Sequence, residues 1–261
     1  RRVLFRSGAL QLSAGAVSYR GAAGTGAGET TTKLLNLTGT TGAGYLYANQ
    51  AGTAPTALIL SNGVAATGAG LKNLYLGGNA AAAIVNELRG VIQDNTTTNK
   101  TSLVKMGAST WLYVPAAANF SSAAPAGVTV ASGGAANTSS FVVSSATGIV
   151  PGMTVTGTNV PAGSVVTGVV GTTVYVNNAI VTALTASTAL TFGTIANFTG
   201  NVTVAGGTLQ LRPTAGTGSN GSDLIANAAT LTFAADAVQG AGFAGGVLEY
   251  QGSAAGGTLT E

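Results

Sequence analysis

Short apolar stretches recur along most of the chain, either alternating with polar residues or running for four to six positions. Examples are residues 34–37, 57–60 and 111–114, and turn signals such as Asn62-Gly63 and Asn220-Gly221 lie between such stretches. A spacing of two residues with many Val and Thr is typical of β-strands. The pattern therefore predicts many short strands separated by tight turns.

Only two segments are compatible with a helical turn. Residues 80–88 include a run of alanines, and residues 222–229 begin with Ser222, a residue type that caps helix N-termini. Both segments are too short and too weakly amphipathic to form a helical layer. We therefore expect an all-β protein.

The composition favours a stack of strands over other all-β architectures. Forty of the 261 residues are Gly, charged residues make up 7% and hydrophobic residues 46%. A weakly charged, apolar chain is the opposite of a disordered one. In a solenoid each coil needs only a few inward Val, Leu or Ile, with small residues at its corners. The sequence therefore predicts a right-handed parallel β-helix, with coils about 4.8 Å apart.

Several chemistries are excluded by residue counts. The chain has no Cys and no His, which excludes disulfides, thiolate zinc sites, Cys nucleophiles and His-based triads or metal ligands. The net charge of +3 comes from Arg1, Arg2 and Arg6, and the remaining Lys and Arg are scattered singly. No nucleic-acid partner is expected. No apolar stretch is long enough for a transmembrane segment.

The first residues differ in composition from everything after them. Residues 2–7 read Arg-Val-Leu-Phe-Arg-Ser, which equals the translation of a common short-read sequencing adapter. We therefore expect residues 1–7 to be foreign to the protein, and the rest to belong to a longer reading frame. The alternative is a genuine basic N-terminal strand.

Internal similarity indicates a repeat. Residues 8–12 are similar to 207–211, and residues 15–21 are similar to 246–252. A short apolar motif that returns with glycine at its edges is expected in an array of structural repeats. The chain is therefore expected to contain repeated β-units.

Two further motifs carry a specific resemblance. Residues 90–95 and 102–114 read G-V-I-Q-D-N and S-L-V-K-M-G-A-S-T-W-L-Y-V, and residues 197–211 read N-F-T-G-N-V-T-V-A-G-G-T-L-Q-L. They resemble the passenger-associated transport repeat, also called the autotransporter-associated β-strand repeat. Its pattern is G-x-I, a turn, L-x-K-x-G-x-G-T-L-x-L, and a tail with G-x-T-x-V-x-x-G-T-L-x-L. The chain departs from it at Ser109, usually Gly, and at Pro115.

The resemblance covers about residues 8–118 and 197–261. It implies a passenger of a secreted or surface-displayed autotransporter-type protein, located outside the cell or on the bacterial surface. It implies a structural or adhesive role as an elongated stalk, with no enzymatic activity. The partners it implies are cell-surface or matrix components, glycans, or further copies of the chain.

An inserted module explains why the two halves of the repeat are separated. Residues 118–121 and 196–199 are near copies, and removing 119–196 would join the flanking segments into one continuous repeat. We therefore predict a small β-module at 119–196 between β-helical segments 8–118 and 197–261. Its motif at residues 151–163 is similar to units in large bacterial surface and phage structural proteins. Solenoids accept insertions at coil corners.

Candidate catalytic and metal-binding groups are weak. The acids are Glu29, Glu87, Asp94, Asp223, Asp236, Glu249 and Glu261. The nearest pair is Glu87 and Asp94, with Arg89 between them, and glycosidases need two carboxyls about 5–10 Å apart. Turn and cap roles explain Asp94 and Asp223 better. No catalytic residue, cofactor or metal ligand is assigned.

Glycine clusters at residues 24–28 and 68–70 have three possible interpretations: a calcium-binding β-roll, a phosphate loop or tight corners. They lack the Asp of a calcium-binding β-roll, and no Lys-Ser/Thr follows as in a phosphate loop. Tight corners with positive φ are the better explanation.

Aromatic residues could stack on sugars or pack within the fold. The residues considered are Tyr45, Tyr47, Tyr75, Trp111 and Tyr113. Packing in the core or in a ladder between coils is favoured. Strand residues alternate between faces, and the narrow interior of a β-helix suits Leu and Val better than an indole, so Leu112 and Val114 are expected inside. Trp111 and Tyr113 are then expected on the outer face or beneath the module.

Two other classes remain compatible with a β-helix. One is a polysaccharide-processing enzyme, which would require clustered surface carboxylates beside a cleft. The other is a phage tail or fibre protein, which the inserted module permits and which a trimeric assembly would favour.

Overall fold

The structure is a computed structural model that describes residues 9–21, 28–40, 43–49, 56–96, 98–115, 125–150, 152–193, 198–212, 224–226, 228–234 and 245–251. Every regular element in these ranges is a β-strand, so the all-β prediction is confirmed. No helix that is long and apolar enough to cross a membrane is found in these ranges. The predicted foreign segment, residues 1–7, lies outside the described residues.

The strands follow one another at short intervals. In chain order they are β1 (Leu10–Leu12), β2 (Ala16–Tyr19), β3 (Glu29–Thr31), β4 (Leu35–Leu37), β5 (Ala43–Ala48), β6 (Leu58–Leu60), β7 (Val64–Ala66), β8 (Lys72–Gly77), β9 (Val85–Leu88), β10 (Thr101–Lys105), β11 (Thr110–Tyr113), β12 (Val130–Gly133), β13 (Ser140–Val143), β14 (Val155–Gly157), β15 (Val166–Val170), β16 (Thr173–Val176), β17 (Leu190–Phe192), β18 (Val202–Val204), β19 (Thr208–Leu211), β20 (Leu231–Phe233) and β21 (Val247–Tyr250).

Three parallel sheets form the sides of a solenoid. Sheet A has the order β1-β4-β7, sheet B the order β2-β5-β8-β10-β18-β20, and sheet C the order β3-β6-β9-β11-β19-β21. From β1 to β9 the chain visits sheets A, B and C in turn, and the later described strands of the solenoid alternate between sheets B and C. This order confirms the predicted parallel β-helix, which has about six turns. Its right-handedness stays a prediction.

The interior is built from rows of aliphatic side chains. Leu74, Leu103 and Val202 are register partners on three successive coils of sheet B, and all three are buried. Leu35 pairs in the same way with Val64 on sheet A. Each buried side chain of this size contributes about 1.5–3 kcal/mol. The core is therefore a continuous column that every coil extends.

The predicted strands are found, but one sequence similarity proved misleading. Residues 10–12 lie in sheet A while 209–211 lie in sheet C, and residues 16–19 lie in sheet B while 247–250 lie in sheet C. The similar segments therefore do not occupy equivalent positions. Their resemblance reflects the inward–outward alternation that all strands share. Residues 80–88 form a turn and then β9 instead of a helical turn.

The six described strands between β11 and β18 pair antiparallel instead of parallel. Strands β12-β13-β16-β15 form one sheet and β14-β17 another, around a core of their own. The chain leaves the solenoid after a sheet C strand and returns at a sheet B strand. The proposed limits of the module, 119 and 196, lie outside the described residues, so they stay a prediction.

The module packs against the outer face of sheet A. Val165 of the module clusters with Leu34 and Ala65, and Val91 of the solenoid belongs to the module's core. This cover explains why all three residues of β4 are buried, although a strand with one solvent-exposed face would alternate.

Deleting residues 119–196 is expected to leave a folded solenoid. Strands β18 and β19 already pair directly with β10 and β11, so no coil contact depends on the module. Stability should fall by a few kcal/mol, because Leu34 and Val91 lose their cover. Circular dichroism should show a β spectrum and a cooperative melt at lower temperature. A non-cooperative melt would contradict this expectation.

Candidate functional site

The two acids nearest each other in sequence have different partners in the structure. Glu87 lies in β9 of sheet C and forms an ion pair with Arg89, with 2.5 Å between Oε2 and Nε. Asp94 lies between Ile92, which bridges to Val64 of sheet A, and β10 of sheet B. The structure therefore provides no shared site for the two carboxylates.

Asp94 joins two coils through hydrogen bonds. Its carboxylate accepts hydrogen bonds from the Thr101 amide at 2.7 Å, the Thr199 amide at 3.0 Å and the Thr199 hydroxyl at 2.7 Å. Thr199 directly precedes the return of the chain to sheet B. The turn role expected for Asp94 is therefore observed, and it also fastens the segment that follows the module.

The remaining acids are dispersed. Glu29 is exposed on the first coil, and Glu249 accepts a hydrogen bond of 3.0 Å from the Gln210 amide. Asp223, Asp236 and Glu261 lie outside the described residues. Within the described ranges no three acidic side chains are grouped as a metal site would require.

The glycines at residues 68–70 form a corner, as predicted. Gly68 and Gly70 have φ of +77° and +79°. A Cβ atom on Gly68 would lie 2.7 Å from the Thr38 carbonyl oxygen of the preceding coil. Both the dihedral angle and the close approach require glycine. Most of the other cluster, residues 22–27, lies outside the described residues.

The predicted orientation of Trp111 and Tyr113 is wrong. Both side chains belong to the solenoid core and are completely buried. Leu112 points to the opposite face, in register with Glu87 and Gln210, and is nevertheless 1% exposed. The prediction assumed that the interior is too narrow for an indole, but the solenoid core accommodates the Trp111 ring.

The polar atoms of these buried rings have partners. The Trp111 Nε1–H donates to the Gly77 carbonyl at 3.0 Å, and the Tyr113 hydroxyl accepts from the Ile92 amide at 3.3 Å. Burial raises the pKa of Tyr113, so its hydroxyl stays neutral. The ring also meets Phe198 edge-on, with 6.2 Å between centroids. Neither Trp111 nor Tyr113 is available to a ligand.

Two lysines lie inside the solenoid, which the sequence analysis did not predict. The Lys105 ammonium donates to the carbonyls of Met106 at 2.8 Å, Gly107 at 2.9 Å and Gly206 at 2.8 Å. Gly206 lies on the next coil, so the ammonium joins two coils at the corner between sheets B and C. The available signal was alternation, because Lys105 has the same phase as the inward Leu103.

Lys72 occupies the corner between sheets A and B. Its ammonium donates to the Gly39 carbonyl of the preceding coil and to the Ala69 carbonyl at 2.6 Å. Burial lowers its pKa. Both lysines thus satisfy corner carbonyls that strand pairing does not reach.

Three tyrosines form an aromatic cluster on the outer face of sheet B. Tyr45, Tyr47 and Tyr75 are half-buried; we call this cluster the tyrosine face. The Tyr45 and Tyr75 rings stack with 4.5 Å between centroids and 16° between planes. The centroids of the Tyr45 and Tyr47 rings lie 5.9 Å apart, with 17° between the ring planes. Of the five aromatic residues considered, these three remain accessible.

The tyrosine face is neutral. Burial and the neighbouring phenols raise the pKa of Tyr47 and Tyr75. Within the described part of the chain, the three hydroxyls make no hydrogen bond. The outward residues of sheet B are all uncharged: Ala16, Ser18, Ala43, Tyr45, Tyr47, Asn73, Tyr75, Gly77, Ser102, Val104, Thr203 and Thr232.

Comparison of the sequence with models of known protein families, with curated proteins and with solved structures finds no match.

Proposed function

We propose that the chain is a stretch of an autotransporter-type passenger at the bacterial cell surface, where its β-helix serves as a stiff stalk. The main support is that the residues resembling the passenger repeat are strands of the solenoid. The residues that resemble the passenger repeat, 102–114 and 197–211, coincide with β10, β11, β18 and β19. These four strands form two adjacent coils of the solenoid. The resemblance and the fold thus concern the same residues.

The use of polar side chains supports a scaffold role. Lys105 and Asp94 bind backbone groups of adjacent coils. Asn86 does the same inside sheet C, where its Oδ1 accepts from the Leu58 amide and its Nδ2 donates to the Thr110 carbonyl, both at 3.0 Å. These contacts stabilise the stacking of coils. The proposal therefore assigns the chain no catalytic residue.

The geometry of the solenoid suits a stalk. Successive coils pair through sheets B and C along the whole solenoid, and the first three coils pair through sheet A as well. Each additional coil lengthens the column by about 4.8 Å. Resistance to bending follows because bending would break hydrogen bonds between the coils.

Surface display tests the proposal. The chain would be fused between a secretion signal and an outer-membrane barrel, with an epitope at its N-terminus. We expect intact cells to bind the antibody and to release a protease-resistant core. A Lys105→Met chain, with weakened coil contacts, should be displayed in a protease-sensitive form. Retention of the parent chain inside the cell, or its digestion at the surface, would contradict the proposal.

The complete reading frame provides a second test. An autotransporter-type passenger is expected to have a secretion signal upstream and an outer-membrane barrel or sorting domain downstream. Neighbouring genes for virion parts, together with a trimer in sedimentation, would instead support the fibre alternative.

A further inference from the structure

We propose that the tyrosine face binds an uncharged polysaccharide, with the rings of Tyr45 and Tyr47 as its platform. This inference does not depend on the proposed function, because it concerns a surface of the purified chain.

The rings of Tyr45 and Tyr47 form one nearly flat surface. Tyr45 and Tyr75 are 4.5 Å apart and nearly parallel, which is close to the separation of adjacent strands of about 4.8 Å. Their ring normals therefore run along the solenoid axis. Tyr47 lies in the same strand as Tyr45 and is tilted by only 17° from it, at 5.9 Å. The Tyr47 ring is thus beside the Tyr45 ring and not above it.

One side of this platform faces small residues. Tyr75 covers the Tyr45 ring on the side of the third coil. On the first coil the register partners of Tyr45 and Tyr47 are Ala16 and Ser18, which are both exposed. Neither side chain is large enough to cover an aromatic ring. The rings therefore form the wall of a step, with Ala16 and Ser18 as its floor.

Polar groups border the step. The Asn49 Nδ2 donates to the Ser18 hydroxyl at 3.1 Å, and the tyrosine hydroxyls have no hydrogen-bond partner within the described residues. An aromatic platform with a few polar groups at its edge is the usual composition of a small-molecule site.

Sugar rings match this arrangement. A pyranose has a face of C–H bonds, whose partial positive charge is attracted to the negative face of an aromatic ring. Its hydroxyls project from the edge of the ring, where the phenols, Ser18 and Asn49 can exchange hydrogen bonds with them. Two adjacent aromatic rings offer room for more than one sugar, which favours a polymer over a single sugar.

Charge selects an uncharged polymer. Recognition of carboxylate, sulfate or phosphate groups generally uses Arg or Lys. The outward strand residues of sheet B include neither, and they include no acid; a single exposed cation, Arg20, directly follows β2. The raised pKa of Tyr47 and Tyr75 also keeps their hydroxyls protonated as hydrogen-bond donors.

Affinity electrophoresis tests the proposal. The purified chain would be run toward the cathode in native gels containing a soluble β-1,3-glucan, a xyloglucan or a galactomannan, with polygalacturonate as the anionic comparison. We expect retardation by at least one neutral polymer. The double variant Tyr45→Ala, Tyr47→Ala should bind it about tenfold more weakly or worse, since the stacking surface is lost. Tyr175→Ala, a half-buried tyrosine of the module, should bind as the parent does.

A second variant keeps the tyrosines and blocks the step. Ala16→Ile would place a branched aliphatic side chain against the open face of Tyr45 without adding a new aromatic ring. We expect the melting temperature to stay the same or rise while polysaccharide binding is lost. This pair of results separates blocked binding from unfolding.

Three results would overturn the proposal. The first is a parent chain that no neutral polymer retards, or that only polygalacturonate retards. The second is binding that persists in the double variant or in Ala16→Ile. The third is a parent dimer that the double variant converts to a monomer, which would make the face a contact between copies of the chain.

Discussion

Replacing Lys105 with Met is expected to lower the free energy of unfolding by about 3 kcal/mol or more. Met has nearly the same length, so the aliphatic packing is retained. The three carbonyls of Met106, Gly107 and Gly206 would lose the N–H donors that now bind them at 2.8–2.9 Å. Buried acceptors without donors are costly, and hydrogen bonds from a charged donor are the strong ones.

Urea unfolding followed by circular dichroism measures this change. The matched control is Lys33→Met, because Lys33 is half-exposed and precedes β4 in a connecting segment. The control should stay within about 0.5 kcal/mol of the parent. Equal stability of the Lys105→Met chain and the parent would show that solvent satisfies these carbonyls.

Replacing Trp111 with Ala is expected to cost about 3–5 kcal/mol. The indole is completely buried in the solenoid core, so its removal loses transfer free energy and leaves a cavity. The Gly77 carbonyl would also lose the donor that now lies at 3.0 Å. Trp111→Phe should have a smaller effect, since it preserves most of the packing and loses the hydrogen bond.

Thermal unfolding of the same variants checks the direction in which the residue points. Val170→Ala is the control, because Val170 is a strand residue that is 69% exposed. Its effect should be near zero. A Trp111→Ala effect as small as that of the control would mean that β11 presents Leu112 to the core, as the sequence had predicted.

The strands and corners were predictable because local patterns determine them. Residues 202–204 and 208–211 alternate between apolar and polar, as a strand with one buried face does, and both segments are strands. Gly68 and Gly70 were expected at a corner, since few other residues adopt positive φ. These features follow from neighbours in sequence.

The orientation of β11 was not predictable in the same way. All four residues 111–114 are large and apolar, so both faces of the strand looked suitable for the core. Only the register with Leu209 and Leu88 on adjacent coils determines which face is inside. That register depends on residues distant in the sequence.

The internal lysines and the position of the module were missed for related reasons. A Lys in a row of aliphatic residues contradicts the hydrophobic pattern unless the corner carbonyls are known. The packing of Val165 on Leu34 joins residues far apart in the chain. The inward phase of Lys105 was visible in its strand, but the Gly206 carbonyl that it binds, like the residues that the module covers, is distant in sequence.

A cross-link across the module tests most directly whether the chain resumes the same solenoid after it. Val104 and Thr203 are register partners on β10 and β18, and both are half-exposed on the outer face of sheet B. The chain has no Cys, so a Val104→Cys, Thr203→Cys variant has only these two thiols. Partners on adjacent strands are about 4.8 Å apart, within reach of a disulfide.

Peptide mass spectrometry after oxidation of the thiols gives the result. We predict near-complete linkage of the two introduced thiols in the Val104→Cys, Thr203→Cys variant. The control pair Val104→Cys, Thr232→Cys, two strands apart, should link poorly, because its Cα atoms are separated by about 9–10 Å. The parallel β-helix would be contradicted if the control variant formed its disulfide while the Val104→Cys, Thr203→Cys variant kept free thiols.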